Sequence, residues 1–278
     1  MNSPICLLVD NGSLQVDSIL SLRKVANRLS SELSLEVIPV GLLHSNKINP
    51  SELDGVSAYT IETFLSSKKG KQNKNLLIIP FFFGPSKGIT DFLKRKLLSW
   101  ETGSKQRSFK ILPCLHEMGD LTLAKALFDE TIKIINEKGF SKPHVVMVDH
   151  GTPVSEVNDV REDVGRQLAK LLSDLISGFS TSSMERRAGH EYDFNEPLVE
   201  NVLHGWGVDN VKQVVVPLLF LLPGRHAGKG GDLHNIFDKT RKEFEGIKIY
   251  PTSPLGLSEG VYKILKSRAK EYLKILKL

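Results

Sequence analysis

The chain has 278 residues, 40% of them apolar and 25% charged, a composition that excludes a disordered or fibrous protein and fits a globular one with a real core. Its longest apolar runs, such as VVVPLLFLLP, reach only about half of what a membrane span needs, and MNSPICLLVDNG lacks the basic start of a secretory signal. The net charge of +5, spread over small clusters at 68–74, 94–96 and the C-terminus, suits an acidic small ligand and argues against a nucleic-acid surface.

In chain order, CLLV predicts a short strand and Asn11-Gly12-Ser13 a turn. A helix is predicted over 14–33, where Ile19, Leu22, Val25, Leu29 and Leu33 recur at three- and four-residue steps. LEVIPV, LLIIPFFF and FKILPCL predict three further strands with helical stretches between them. EKGFSKP (137–143) is too short for a linker. After it VVMVD predicts a strand, and Val157, Val160, Val164, Leu168, Leu171, Leu172 and Leu175 mark one face of a helix. QVVVPLLFL and IKIYPT predict later strands, with a helix over 233–245 between them. Pro80 and Pro217 each remove a ladder donor, so a bulge or a strand end is expected at both. Cys6 and Cys114 form no CxxC pattern and read as free thiols in a reducing cytoplasm.

The chain also repeats itself. Asp10 and Asp149 lie 139 apart, Pro80 and Pro217 137, Pro85 and Pro223 138, Pro113 and Pro251 138, and Gly119 and Gly256 137. So steady an offset marks a duplication, with halves at 1–139 and 140–278. Apolar strands alternating with amphipathic helices predict parallel sheet covered on both faces. The expected fold class is therefore α/β, with two similar doubly wound lobes facing a central cleft.

In open parallel sheets, ligands bind beyond the carboxyl ends of the strands. His150 lies one residue past VVMVD, and His226 follows VVVPLLFL after the turn Leu222-Pro223-Gly224-Arg225. If the two strands share a sheet, both imidazoles emerge at one edge, as a two-histidine metal site or an acid/base pair requires. The ordinary alternative is two unrelated loop histidines. Glu185, near the end of the second strand of that half, could supply an oxygen ligand or take a proton; otherwise it is a surface carboxylate paired with Arg186 or Arg187. The glycine-rich run 224–232 precedes a helix, with Asp232 as its expected N-cap, and its backbone N–H groups favour an anion such as a ligand carboxylate. It is not a phosphate-binding loop of the Walker type, so no nucleotide is expected. His44, His116 and Glu117 follow apolar runs of the first half and could face the cleft, with loop or cap roles as the alternative. His144 starts a strand, at the wrong end for the site; His190, His204 and His234 are read as surface or packing residues.

With these motifs in place, the chain resembles the sirohydrochlorin chelatase family, the ATP-independent class II tetrapyrrole chelatases. VMVDHGTP, SSMERRAGHEYDFNEPL, VVVPLLFLLPGRHAGKGGD and TSPLGLSEGVYKIL carry the likeness in the second half, and VDNGSL, GLLHSNKI and IIPFFFGPSKG give the first half the same frame. The resemblance implies insertion of a divalent metal, Co²⁺, Fe²⁺ or Ni²⁺, into a carboxylate-rich tetrapyrrole. It implies that His150 and His226 bind the metal and accept pyrrole protons; Glu185, from its place near a strand end, is the third candidate catalytic group. The substrate-facing set is Asn11, His44, Arg186, Arg187, Arg225 and Gly228. The arginines would pair with substrate carboxylates, surface salt bridges being the alternative.

The first half departs from this pattern. Asn11 stands where a histidine would be, Gly88 stands opposite His226 and Lys87 opposite Arg225, so that half is expected to be silent. SRAKEYLKILKL has no cysteine- or histidine-rich tail, so no iron–sulfur cluster is implied. The partner expected is a small-molecule tetrapyrrole, with no nucleic acid and no membrane span. Duplication could replace a dimer interface, which fits a monomer or at most a weak homodimer. The competing function is a non-catalytic metal or tetrapyrrole carrier. A metal-dependent hydrolase is disfavoured, because no nucleophile or dinuclear carboxylate cluster is visible. Imidazole accommodates iron, cobalt, nickel and zinc alike, so the metal stays open.

Overall fold

The computed structural model describes residues 4–275. They divide into two compact units. The first comprises the residues up to His116 together with those from Tyr262 onward; the second is Glu117–Val261.

In the first unit, β1 (Ile5–Asp10) is followed by α1 (Val16–Leu33), β2 (Val37–Gly41), β3 (Tyr59–Thr60), α2 (Ile61–Ser66), α3 (Lys68–Gln72), β4 (Asn75–Pro80), α4 (Lys94–Thr102) and β5 (Ser108–Ile111). The strands form one sheet in the order β3-β2-β1-β4-β5, parallel throughout. Ile19, Leu22, Val25 and Leu29 of α1 are buried, each stabilising the fold by roughly 1.5–3 kcal/mol of transfer free energy. Pro80 is the last residue of β4.

The second unit begins with α5 (Thr122–Lys138). It continues through β6 (His144–Asp149), α6 (Ser155–Leu172), β7 (Gly178–Ser183), α7 (Val199–Val208), β8 (Gln213–Val216), α8 (Asp232–Glu243) and β9 (Lys248–Pro251). Its sheet runs β7-β6-β8-β9 and is again all parallel. β8 stops at Val216, so Pro217 follows directly on its end. Pairing with β6 resumes one residue later, at the bridge Val148–Leu218. A strand end is therefore what both prolines mark. The final helix, α9, spans Glu259–Ile275.

The two units are not cut at the sequence halves 1–139 and 140–278. α5, from the first half, packs on α6 and β8 through a face that includes Leu123, Leu127 and Ile135. The part of α9 from Tyr262 onward belongs to the first unit instead. Tyr262 Oη donates to the carbonyl of Arg28 at 3.2 Å, and the Arg28 guanidinium stacks over the Tyr262 ring at 3.7 Å. Lys266 pairs with Glu32, and Arg268 donates to the carbonyl of Leu115 at 3.1 Å. An amphipathic stripe reveals that a helix has a face to bury and not which sheet receives it, so this exchange of terminal helices left no mark in the periodicity.

Cys6 is buried and Cys114 half-buried, and both thiols are free. Burial pushes them up to about 12 and about 11, so neither is a ready thiolate. No helix among the described residues is long and apolar enough to cross a membrane.

Candidate functional site

Both histidines stand at the carboxyl end of the second unit's sheet. β6 delivers His150 directly after Asp149, and the loop that follows β8 brings His226 beside it. The two rings lie 4.4 Å apart, centroid to centroid, inclined at 65°. Each imidazole also has its own carboxylate. His150 Nε2 lies 2.9 Å from Glu185 Oε1, and His226 Nδ1 lies 2.7 Å from Asp232 Oδ2. If the carboxylate of Asp232 accepts an Nδ1–H bond, the neutral His226 ring has its lone pair on Nε2. Among the described residues, Nε2 of His226 and Nδ1 of His150 have no protein partner. The His150 side chain is 47% exposed, so the pair is open to solvent and to a ligand.

Asp232 does this in place of the capping role expected of it. α8 starts at Asp232 itself, with Gly231 in the cap position, and the carboxylate is turned to His226 instead of to the first turn's N–H groups. Arg225 Nε approaches the same carboxylate at 3.6 Å.

A buried network holds the β6 end in place. The carboxylate of Asp149 accepts from the Gly151 N–H at 3.0 Å and from the Ser183 hydroxyl at 2.6 Å. Burial raises the Asp149 carboxyl above the usual carboxylate range, opposed by the Ser183 hydrogen bond and the nearby Arg161 charge. Arg161 is only 1% exposed. Its guanidinium donates to Ser183 Oγ at 2.5 Å, to the carbonyls of Asn195 (2.8 Å), Phe194 (2.9 Å) and Glu196 (3.3 Å), and to Glu162 Oε1 at 2.8 Å. The buried Asn195 amide clamps the backbone of Thr152 from both sides, at 2.8 and 2.9 Å. Gly151 has φ +92°, and a Cβ there would lie 1.9 Å from the Glu185 carbonyl oxygen. Only glycine fits. This close approach brings the backbones of His150 and Glu185 together, with the Glu185 N–H donating to the His150 carbonyl at 3.2 Å.

The other candidates separate. Glu185 pairs with His150 and not with Arg186 or Arg187. Arg186 is engaged by Asp193 (2.8 Å) and Glu196 (2.8 Å) and donates to the Gly189 carbonyl at 3.0 Å, so its guanidinium closes the 185–196 loop. Arg187 lies 5.9 Å from the Tyr192 ring centroid, and Arg225 is 77% exposed. Gly228 sits in a tight turn, its N–H donating to the Gly224 carbonyl at 2.8 Å. His44, exposed with φ +68°, and Asn11 belong to the first unit.

That unit repeats the frame without the chemistry. The Leu42 N–H donates to the Asp10 carbonyl and the Leu43 N–H to that of Asn11, as those of Met184 and Glu185 do to Asp149 and His150. Leu43 thus stands where Glu185 is. A Cβ on Gly88 would lie 3.6 Å from Asn11 Oδ1, so Gly88 stands beside Asn11 as His226 stands beside His150. Asn11, Leu43 and Gly88 thus stand at the positions of His150, Glu185 and His226.

Asp149, Arg161, Asn195 and Asp232 were not identified as functional from sequence. Arg161 alone left a signal, being a charged residue on the apolar face of its helix. Among the described residues no group of three or more His, Cys, Asp or Glu forms a ready cage for a metal ion. The pair of imidazoles therefore offers part of a coordination shell and leaves the rest to water or to a ligand.

The parallel β/α architecture of the chain is that of solved chelatases. SirB from Bacillus subtilis with Fe³⁺ matches at a TM-score of 0.72 and 12% identity, over 97% of this chain and 95% of that one. The sirohydrochlorin chelatase SirB from B. subtilis subspecies spizizenii in complex with cobalt matches at 0.70 and 12%, over 98% and 96%. Within the second half, residues 144–272 match the CbiX family model. A sirohydrochlorin cobaltochelatase from Sulfurisphaera tokodaii is 29% identical over 133 residues, 47% of this chain and 93% of the relative.

Proposed function

We propose that the protein inserts a divalent metal, Co²⁺, Fe²⁺ or Ni²⁺, into a carboxylate-rich tetrapyrrole such as sirohydrochlorin, without ATP. The observation that carries this reading is the pair of imidazoles 4.4 Å apart, each backed by its own carboxylate. The cobaltochelatase relative and the iron- and cobalt-bound SirB structures are in line with it.

Insertion exchanges one cation for two protons: M²⁺ enters the macrocycle as both pyrrole N–H groups lose theirs. The site must therefore hold the metal loosely and accept protons at the same time. His226, oriented by Asp232, presents Nε2 to the metal. His150 presents its free nitrogen, while its Nε2 shares a proton with Glu185. As the metal leaves for the macrocycle, the freed nitrogen of each imidazole would take one pyrrole proton, and Glu185 and Asp232 would relay the two protons to solvent. Two imidazoles leave coordination positions open, so the metal can be handed on; a closed cage would trap it. Arg187 and Arg225 remain available for substrate carboxylates, whereas Arg186 is committed to its loop. The first unit contributes no metal ligand in this reading.

Mixing the protein with sirohydrochlorin and each of Fe²⁺, Co²⁺ and Ni²⁺ tests it through the visible spectrum. Metallation faster than the spontaneous reaction is expected. Tight tetrapyrrole binding with no acceleration would favour a carrier. Asp232→Asn retains the shape and removes the orienting charge. We expect it to lower the insertion rate by roughly 10–100-fold, the usual cost of losing a group that orients a metal ligand. An unchanged rate would show that the contact with His226 has no part in the reaction.

A further inference from the structure

The first unit contains a cavity of about 230 Å³ with Asp10 among its lining residues. All of its lining residues fall within 10–59, so it holds none of His150, His226 or Glu185.

The place of this cavity in the repeat explains it. Leu22 is six residues into α1, as Arg161 is six residues into α6. Asp10 pairs with Gly41 across the sheet, as Asp149 pairs with Ser183. Thr60 bridges Gly41 as Leu198 bridges Ser183, so Val56–Ala58 occupy the place of Phe194–Glu196. In the second unit that space is filled by the guanidinium of Arg161, held by the Ser183 hydroxyl and the carbonyls of Phe194, Asn195 and Glu196. In the first unit an apolar leucine stands at that helix position, and the space is open. Asp10, Leu22, Gly41 and Val56–Ala58 line it.

The carboxylate stays behind without its cation. Asp10 accepts the Gly12 N–H at 2.8 Å, and no lysine or arginine among the described residues pairs with it. Arg23, also on the wall, is already taken by the carbonyls of Leu53 (2.7 Å) and Val56 (2.6 Å). Desolvation pushes the Asp10 carboxyl up to about 7, the behaviour of a buried acid lacking a counter-charge.

We propose that this cavity is a binding site for a small organic cation, whose guanidinium or primary ammonium group takes the place that Arg161 occupies in the other unit and pairs with Asp10. A planar guanidinium fits best, because a carboxylate accepts from its fork of N–H donors through both oxygens.

Titration of the full chain with methylguanidinium chloride at pH 8, followed by calorimetry, tests this, with uncharged methylurea as the isosteric control. Saturable binding of methylguanidinium in preference to methylurea is expected. Asp10→Asn should weaken it by roughly tenfold or more, since a hydrogen bond to a charged group is lost. This variant removes a buried charge and is expected to fold. Leu22→Arg should supply the missing guanidinium from within and abolish binding. The absence of saturable binding to the wild-type chain, equal binding of methylurea, or undiminished binding to Asp10→Asn would each overturn the proposal. None of these outcomes bears on metal insertion by the second unit.

Discussion

Alanine at His150 or at His226 is expected to lower the rate of metal insertion into sirohydrochlorin by roughly 10²–10⁴-fold, the range for losing a positioned proton-transfer group. Each substitution removes a ligand and a proton acceptor at once. The two effects should not add in the double variant, because one ring without the other neither holds the cation nor faces it. Stability should hardly change. The His150 side chain is 47% exposed, and neither ring sits in the apolar core of the unit. Single-turnover spectra of the three variants, with thermal melts alongside, check this. Wild-type rates in either single variant, with the fold intact, would contradict the assignment of the pair.

Arg161→Leu places in the second unit the residue that the first unit carries at the same helix position. It is expected to destabilise the protein by roughly 3–5 kcal/mol, the cost of removing a buried charge whose hydrogen-bond partners stay behind unsatisfied. The loss has two sources. Asp149, 8% exposed, loses its nearby cation, and the carbonyls of Phe194, Asn195 and Glu196 lose their donor. Leucine fills part of the volume and none of the hydrogen bonds. The loop carrying Arg186 and the backbone leading into His150 should loosen together, so insertion activity should fall as well. Adding Asp149→Asn should recover part of the stability, because the stranded charge goes. Urea unfolding of the single and double variants reads both effects; a loss below about 1 kcal/mol in the single variant would place it among ordinary surface changes and refute the network as a support.

The matching acid of the first unit, Asp10, has no lysine or arginine paired with it among the described residues. The Asp10 carboxyl sits at about 7, above its usual 3.8. A raised acid favours the folded state while it is protonated. Its contribution is complete below the ordinary value and is lost as pH rises through about 7. The other titratable groups on the cavity wall are Arg23, Glu36 and Tyr59. Asp10→Asn should therefore be more stable than wild type at pH 8 and lose that advantage towards pH 4, as melting curves across the range would show. Equal curves at both ends would contradict it.

How much of this was legible beforehand depends on what kind of signal each feature leaves. The strands announced themselves as apolar runs, and the repeat placed His150 and His226 in matching frames after two of them, enough to expect them at one sheet edge. The second strand of the pair-bearing unit, GFSTSS, is polar and left no such run; its position followed only from Glu185. Asp232 read as a helix cap because its spacing allows that role, and spacing does not show which way a carboxylate turns. Arg161 left a signal whose meaning could not be read from sequence. A charged residue on an apolar helix face has meaning only when its acceptors are known, and these are backbone carbonyls some thirty residues away. Backbone acceptors have no residue type to read. The exchange of α5 and α9 between units was invisible too, since each stripe suits either sheet.

The account rests on the two imidazoles taking one cation between them. Titrating the metal-free chain with Co²⁺ and following its d–d absorption tests this most directly. One Co²⁺ bound through nitrogen donors is expected, with binding weakened in His150→Ala, in His226→Ala and most of all in the double variant. Undiminished Co²⁺ binding in the double variant would show that the cation is held elsewhere.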